Sequence, residues 1–276
     1  MGNSSSRGVW RASLPVLVGV LGIGLAAFSL LLPGKPPQSA PTAPVRTVTA
    51  TTPVEVSKAP APTPSPEPLP PRVDCTQVPC VALTFDDGPS AYSEALLDKL
   101  DELGVKVTFF NTGQNTANRP ESVKRQVESG HAVGGHSWNH VQLTTISPAD
   151  ACADANRTAD AIKQASGVET YLVRPPYGSW NDAMLAACSD KTFILWDVDT
   201  EDWRTHDAAQ IRDHAVGDSR AGSIVLMHDT VAESIEALPS IVAGLKERGF
   251  ELVTVPELWN EPIAPGQSFY NGPRAG

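Results

Sequence analysis

Val81-Ala82-Leu83-Thr84-Phe85-Asp86-Asp87-Gly88-Pro89 is the stretch from which the fold can be read. A short apolar run suited to a buried strand ends abruptly in two carboxylates, and Gly-Pro then turns the chain. Alone, an Asp-Asp-Gly-Pro sequence predicts no more than an acidic turn. Here the arrangement recurs. Counting Val81–Phe85 as the first, further strands are expected at Val107–Phe110, His131–Val133, Tyr171–Val173, Thr192–Val198, Ser223–Met227 and Glu251–Val255. His136 follows the third run and Arg174 ends the fourth. Asp199 and Asp202 follow the fifth, and His228 ends the sixth.

Between the runs lie helix signals. Leu96, Leu97, Leu100 and Leu103 recur at helical spacing, with Gly104 where a C-terminal cap belongs. Ser147-Pro148-Ala149-Asp150 supplies a capping residue and then Pro at the first helical position, and Gly167 follows the far end. Pro239 is expected to break any helix continuing from Thr230, so the last helix should start near it. Strands alternating with helices imply an α/β fold with a mostly parallel sheet. An open doubly wound sheet would satisfy that alternation. A polar group after nearly every strand favours a barrel, because there all C-terminal strand ends converge on one mouth. The expectation is a distorted (β/α) barrel of about seven parallel strands, with no internal repeat and no second folded domain.

The rest of the chain reads differently. Residues 1–13 are polar and carry Arg7 and Arg11, and 14–32 contain no charge, a length that can just span a bilayer. The Arg pair favours a cytoplasmic N-terminus, and the length of the run, with Pro41 directly after the small-residue pattern Gln38-Ser39-Ala40, favours an uncleaved anchor. The alternative is a signal peptide, whose apolar region is usually shorter and whose removal would release a secreted protein. Pro33 to Pro71 holds 13 of the 25 prolines, so 33–72 is expected to be an extended linker. The folded domain is expected at 73–262, outside the cell, followed by a tail at 263–276. A net charge of −10 argues against nucleic acid as a partner, because phosphate binding needs clustered Lys and Arg. Four cysteines in an oxidising compartment suggest two disulfides, Cys75–Cys80 and Cys152–Cys188 being the favoured pairing. Their spacing lacks the paired pattern of a structural zinc site.

The chemistry is legible at the expected mouth. His136 and His140 stand four apart, so on a helix or tight turn both imidazoles can grip one metal ion. A carboxylate beside them completes a frequent catalytic zinc arrangement, and of Asp86 and Asp87 one can be the ligand and the other a base. A cation so held lowers the pKa of water and polarises a carbonyl. Hydrolysis of an amide or ester also needs a base, oxyanion donors and an acid. His228 is the candidate acid. Arg174 can hold a carboxylate base ionised, and Arg174-Pro175-Pro176-Tyr177-Gly178 is stiff enough to aim a backbone N–H.

Thr84-Phe85-Asp86-Asp87-Gly88-Pro89, His136-Ser137-x-x-His140, Arg174-Pro175-Pro176-Tyr177, Asp199-x-x-Asp202-Trp203 and Leu226-x-His228 occur in this order over about 145 residues. Together they resemble the five motifs of the NodB-homology polysaccharide deacetylases, with similarity running from about Val73 to Trp259. The resemblance implies a deformed (β/α) barrel and a divalent metal, usually zinc, with cobalt or nickel as substitutes. It implies Asp87, His136 and His140 as ligands and Asp86 as the base, tethered by Arg174. The Tyr177 N–H would stabilise the oxyanion, and His228 would be the acid, oriented by Asp202. Trp196 and Leu226 match positions lining an acetyl-methyl pocket. Val141 departs from the family, where Pro is frequent after the second metal His, and a slightly different loop is expected there.

The complete set argues for an enzyme over a non-catalytic carbohydrate-binding protein. The implied substrate is an acetylated polysaccharide: N-acetylglucosamine in peptidoglycan or chitin-type oligomers, or alternatively the O-acetyl esters of acetylxylan. The membrane segment and linker favour the producing cell's own wall. Short loops between the motifs predict an open groove, and Trp180 and Trp203, with Trp138, are candidates to stack on sugar rings.

Overall fold

The structure, a computed structural model, describes residues 73–259 and 261–274. The expected N-terminal segment 1–13, the apolar run 14–32 and the linker 33–72 lie outside the described residues, as does the signal-anchor reading built on them. No helix among the described residues is long and apolar enough to cross a membrane.

Among the described residues nine strands form one parallel sheet: β1 (Cys80–Asp86), β2 (Thr108–Asn111), β3 (Ala132–Gly135), β4 (Leu172–Val173), β5 (Thr192–Ile194), β6 (Val198–Asp199), β7 (Ser223–His228), β8 (Glu251–Val253) and β9 (Ser268–Phe269). Their order is β6-β7-β1-β2-β3-β4-β5-β9, with β8 also pairing β1. β1 is buried along its whole length, as expected of a parallel strand covered on both faces. The helices are α1 (Ser93–Leu103), α2 (Gly113–Asn118), α3 (Pro120–Glu128), α4 (Pro148–Ser166), α5 (Asp182–Ala187), α6 (Asp202–Thr205), α7 (Ala208–Gly217) and α8 (Ala232–Glu247). Leu96, Leu97 and Leu100 of α1 and Leu238, Ile241 and Leu245 of α8 pack with Val81, Leu83 and Phe85 of β1 in one apolar cluster. All three predicted caps form: Gly104 and Gly167 adopt φ +64° and +78°, and the Ser147 hydroxyl accepts the Asp150 N–H.

The sheet curls, and its closure rests on isolated backbone contacts, the Ser223–Asn271 bridge and the Asp197 N–H bond to the Ile224 carbonyl at 3.3 Å, and not on a ladder. Its edges are β6 and β9, and no ladder joins them among the described residues. The run Thr192–Val198, expected as one strand, is two. β5 pairs β4 and β9, whereas β6 pairs β7, and a single straight strand cannot serve both edges. Leu195, Trp196 and Asp197 carry the chain across. Asp197 accepts the Ile224 N–H of β7 at 2.9 Å, and on the other side of the crossing Arg174 donates to the Ile194 and Leu195 carbonyls at 3.1 and 3.0 Å.

Three other expectations are corrected. α8 runs through Pro239, which faces solvent, while Leu238, Ile241, Val242 and Leu245 on the other face are buried. Burying that face outweighs the roughly 3 kcal/mol that an internal proline costs a helix. Within the expected tail, residues 263–274 are part of the fold: β9 extends the sheet, and Asn271 bridges to Ser223. There Gly222, at φ +83°, lets two backbones meet, since a Cβ would lie 2.6 Å from the Pro273 carbonyl. Lastly, Cys75–Cys80 is a disulfide, but Cys152 and Cys188 are free, buried thiols, so the second expected bridge is not formed.

Candidate active site

The C-terminal strand ends surround a cavity of about 450 Å³. β1 delivers Asp86 and Asp87 to its floor. Asp86 is buried and Asp87 half-buried, and the turn between them and α1 is tightly braced. Asp87 takes φ +69°, and the Asn115 amide donates to its carbonyl at 2.8 Å. A Cβ on Gly88 would lie 2.5 Å from Asp229 Oδ2 and 2.9 Å from Asn111 Oδ1, so only glycine fits. Asp229 is fully buried and accepts from the Ser90 and Ser93 hydroxyls at 2.6 and 2.7 Å. Its N–H donates to the Asp86 carbonyl at 2.9 Å.

β3 delivers the histidines. They sit on a tight turn and not on a helix, for Ser137 and His140 both have positive φ. His136 donates from Nδ1 to the Arg174 carbonyl at 2.6 Å, which leaves the Nε2 lone pair facing Asp87 Oδ1 at 3.5 Å. His140 Nε2 lies 3.4 Å from the same oxygen. The turn is clamped from behind. The Gly113 and Gln114 N–H groups of α2 donate to the Ser137 and Trp138 carbonyls, and Asp154 of α4 accepts the Trp138 N–H at 2.8 Å. Arg157 lies 3.5 Å over the Trp138 ring. Trp138 is thereby a wedge behind the histidines. Val141 packs at the edge of the cluster containing Leu143.

Asp87 Oδ1 is buried without a hydrogen-bond partner, and one ligand atom each from Asp87, His136 and His140 lies within 4.8 Å of the others. Burial holds the His136 pKa down at about 3, so its imidazole is neutral, as a metal ligand must be. An orphaned carboxylate oxygen facing two imidazoles fits a divalent cation held by N and O donors.

Around this triad the polar groups are held by partners of their own. Arg174, fully buried, donates from Nη1 to Asp86 Oδ1 at 2.8 Å and to the Thr84 hydroxyl at 2.7 Å. Its guanidinium lies 4.1 Å from the centre of the Phe110 ring. Burial raises the Asp86 pKa, and the Arg174 charge opposes that rise. His228 lies beside Asp86 in register across β1 and β7. Its Nδ1 bonds Asp202 Oδ1 at 2.7 Å, while Asp202 Oδ2 accepts the His228 N–H and the Ser234 hydroxyl. Burial works to lower the His228 pKa, but the Asp202 carboxylate, with Asp86 and Asp87, pushes it up to about 9.

Trp196 and Leu226 form an apolar part of the wall. Tyr177, at φ +62° and 65 % exposed, and Trp203, 55 % exposed, stand at the rim with Asp199. Trp180 is not brought to the cavity: it packs edge-on against Phe193 and bonds Tyr270. Sequence reasoning missed the braces Ser90, Ser93, Asn111, Asn115, Asp154 and Asp229. Asp229, directly after His228, carried the one available signal, a second polar residue closing a buried run.

A profile of the family described as polysaccharide deacetylase matches residues 74–193. The solved structure of T48 deacetylase with substrate is 39 % identical, with a TM-score of 0.69 over 71 % of this chain and 99 % of that one. The chain belongs to the polysaccharide deacetylase family. A family 4 acetyl xylan esterase from Clostridium thermocellum, solved with a cobalt ion, is 33 % identical with a TM-score of 0.65, over 70 % of this chain and 98 % of that one. The peptidoglycan-N-acetylglucosamine deacetylase PgdA of Listeria monocytogenes is 37 % identical over 210 residues, 74 % of this chain. This chain spans less than half of that relative, 45 % of its length. The curled parallel half-barrel is the fold that these family structures share.

Proposed function

We propose that this protein hydrolyses acetyl groups from N-acetylglucosamine units of peptidoglycan or chitin-type oligomers, in a metal-dependent reaction. The observation that carries this reading is the register of Asp86 beside His228. It sets a carboxylate and an imidazole of opposite environment on neighbouring strands, both facing the Asp87–His136–His140 triad.

Asp87, His136 and His140 would hold the cation, zinc by preference, with cobalt or nickel as substitutes. When bound, such an ion lowers the pKa of water and polarises the acetyl carbonyl. Asp86 takes the proton from the attacking water. Its tether to Arg174 keeps one oxygen fixed and favours the ionised form against burial. The Tyr177 N–H donates to the oxygen on which charge develops. His228 carries its second proton on Nε2, because Nδ1 is committed to Asp202, and delivers it to the departing nitrogen. Trp196 and Leu226 receive the acetyl methyl, and exposed Trp203 offers a face to the sugar.

Exchanging Asp86 for Asn tests these roles. The variant should retain its metal and lose at least about a hundredfold in kcat, the usual contribution of a positioned base. Undiminished kcat in a metal-loaded Asp86→Asn chain would overturn the assignment. Acetylxylan remains the second reading, favoured by the likeness to the Clostridium esterase, because the same groups can cleave an ester.

The surroundings of the folded domain are part of the proposal. Residues 14–32 would anchor the chain with 1–13 in the cytoplasm, and 33–72 would carry the catalytic domain outward. A spacer of about 39 residues at ~3.1 Å each extends on the order of 100 Å, enough to enter a cell wall. The support is the uncharged run and its preceding arginines.

A further inference from the structure

Asp229 is a buried acid that the proposed reaction does not use. It directly follows His228 at the end of β7, and its contacts all lead to the turn between β1 and α1. Its carboxylate accepts the Ser90 hydroxyl at 2.6 Å and the Ser93 hydroxyl at 2.7 Å. Both hydroxyl oxygens are themselves acceptors: Ser93 Oγ takes the Ser90 N–H at 2.7 Å, and Ser90 Oγ takes the Tyr92 N–H at 2.9 Å. Each hydroxyl proton is therefore left for Asp229, and the clasp closes with every partner assigned. It bears on the two working carboxylates by two routes. The Asp229 N–H donates to the Asp86 carbonyl at 2.9 Å, and Asp229 Oδ2 rests against Gly88, where a Cβ would come within 2.5 Å. Between them stands Asp87, at φ +69°. Residues with a side chain avoid that conformation unless their neighbours over-determine it. From the far side the Asn115 amide holds the Asp87 carbonyl, and the Thr112 N–H holds the Gly88 carbonyl at 3.0 Å.

We propose that Asp229 is a positioning residue for the metal site. From the end of β7 it fixes the left-handed turn that aims Asp87 at His136 and His140, and it keeps Asp86 beside His228. It acts through Asp86 and Gly88, with Ser90 and Ser93 as its hold on the turn. The inference rests on the metal-dependent reading above. A clasp that served only to fasten the start of α1 would add stability, and loosening it would leave the metal site as it is. A clasp that holds Asp87 in its left-handed conformation lets the carboxylate swing away from the two imidazoles when it is broken.

The test uses the full chain, stripped of metal and titrated with cobalt, whose visible absorption reports its coordination. Wild type is compared with Asp229→Asn and with Ser90→Ala plus Ser93→Ala. Asparagine keeps the shape of Asp229 but turns one acceptor into a donor facing the serines. Each variant should bind cobalt about tenfold more weakly and with an altered absorption band, and kcat at saturating cobalt should fall about tenfold while KM changes little. Joining the serine changes to Asp229→Asn should weaken cobalt binding by less than the product of the separate effects, because all three break one clasp. Circular dichroism and urea unfolding establish which variants are folded, and if Asp229→Asn is not, the serine variant decides on the same measures. Folded variants that match wild type in cobalt affinity and absorption, even at lower stability, overturn the positioning of Asp87 alone. Wild type that takes up no cobalt defeats the metal-dependent reading, and this inference with it.

Discussion

Asp86 and His228 are adjacent in register yet have opposite tasks, and their neighbours separate them. Arg174 stands against Asp86, while Asp202 stands against His228. A proton-donating His228 is lost as pH rises through its pKa, so the alkaline limb of kcat against pH reports that group. Asp202→Asn removes the carboxylate that holds it high, and the limb should move down by more than one pH unit, towards the ordinary value of 6.5. A pH–rate profile of both proteins checks this, and an unmoved limb would remove Asp202 from the orienting role. These residues were legible in the sequence because each closes an apolar run. The braces were not. Asp229 meets Ser93 across 136 residues and Arg174 meets Thr84 across 90, separations over which no local pattern carries information. Trp180 had a motif-like setting too, but its ring is used in packing, which only the fold decides.

β3 illustrates how one strand couples stability to the site. It ends at Gly135, directly before His136, and just before its start lies His131, buried, whose Nδ1 accepts the Val107 N–H at 3.1 Å. Burial holds the His131 pKa down at about 4, against 6.5 when unperturbed. Protonation therefore favours the unfolded chain. This contribution is complete above pH 6.5 and is lost as pH falls from there towards 4. Between pH 7.5 and 5 it amounts to about 2 kcal/mol. Urea unfolding at those two pH values should show a smaller acid loss for His131→Gln than for wild type, and equal losses would show that His131 does not titrate as described. Strand and helix positions were largely readable, because long β1 and capped α1 and α4 carry periodic signals. The division of 192–198 was not, since β6 has only two residues and is defined by its partner. β9 is equally short, and α8 crosses Pro239 because tertiary burial overrides a local breaker.

The molecule as a whole joins an acidic, metal-binding half-barrel to a proline-rich segment and an apolar run that the sequence alone describes. The anchoring proposal predicts that the full chain sediments with membranes after salt washing, whereas a chain beginning at residue 66, near the edge of the compact unit, stays in the supernatant. Equal partitioning of the two would count against an anchor at 14–32. The barrel could be foreseen because polar residues follow nearly every strand. Its closure without a ladder could not, because it rests on isolated contacts between residues far apart in sequence, Asn271 with Ser223 and Asp197 with Ile224. What the whole assembly does is tested most directly by acetate release from N-acetylglucosamine oligomers and from acetylxylan, side by side, before and after metal stripping and zinc return. The account predicts acetate from the amino-sugar oligomers that disappears on stripping and returns with zinc. Release from acetylxylan alone, or release from the oligomers undiminished by stripping, would contradict it.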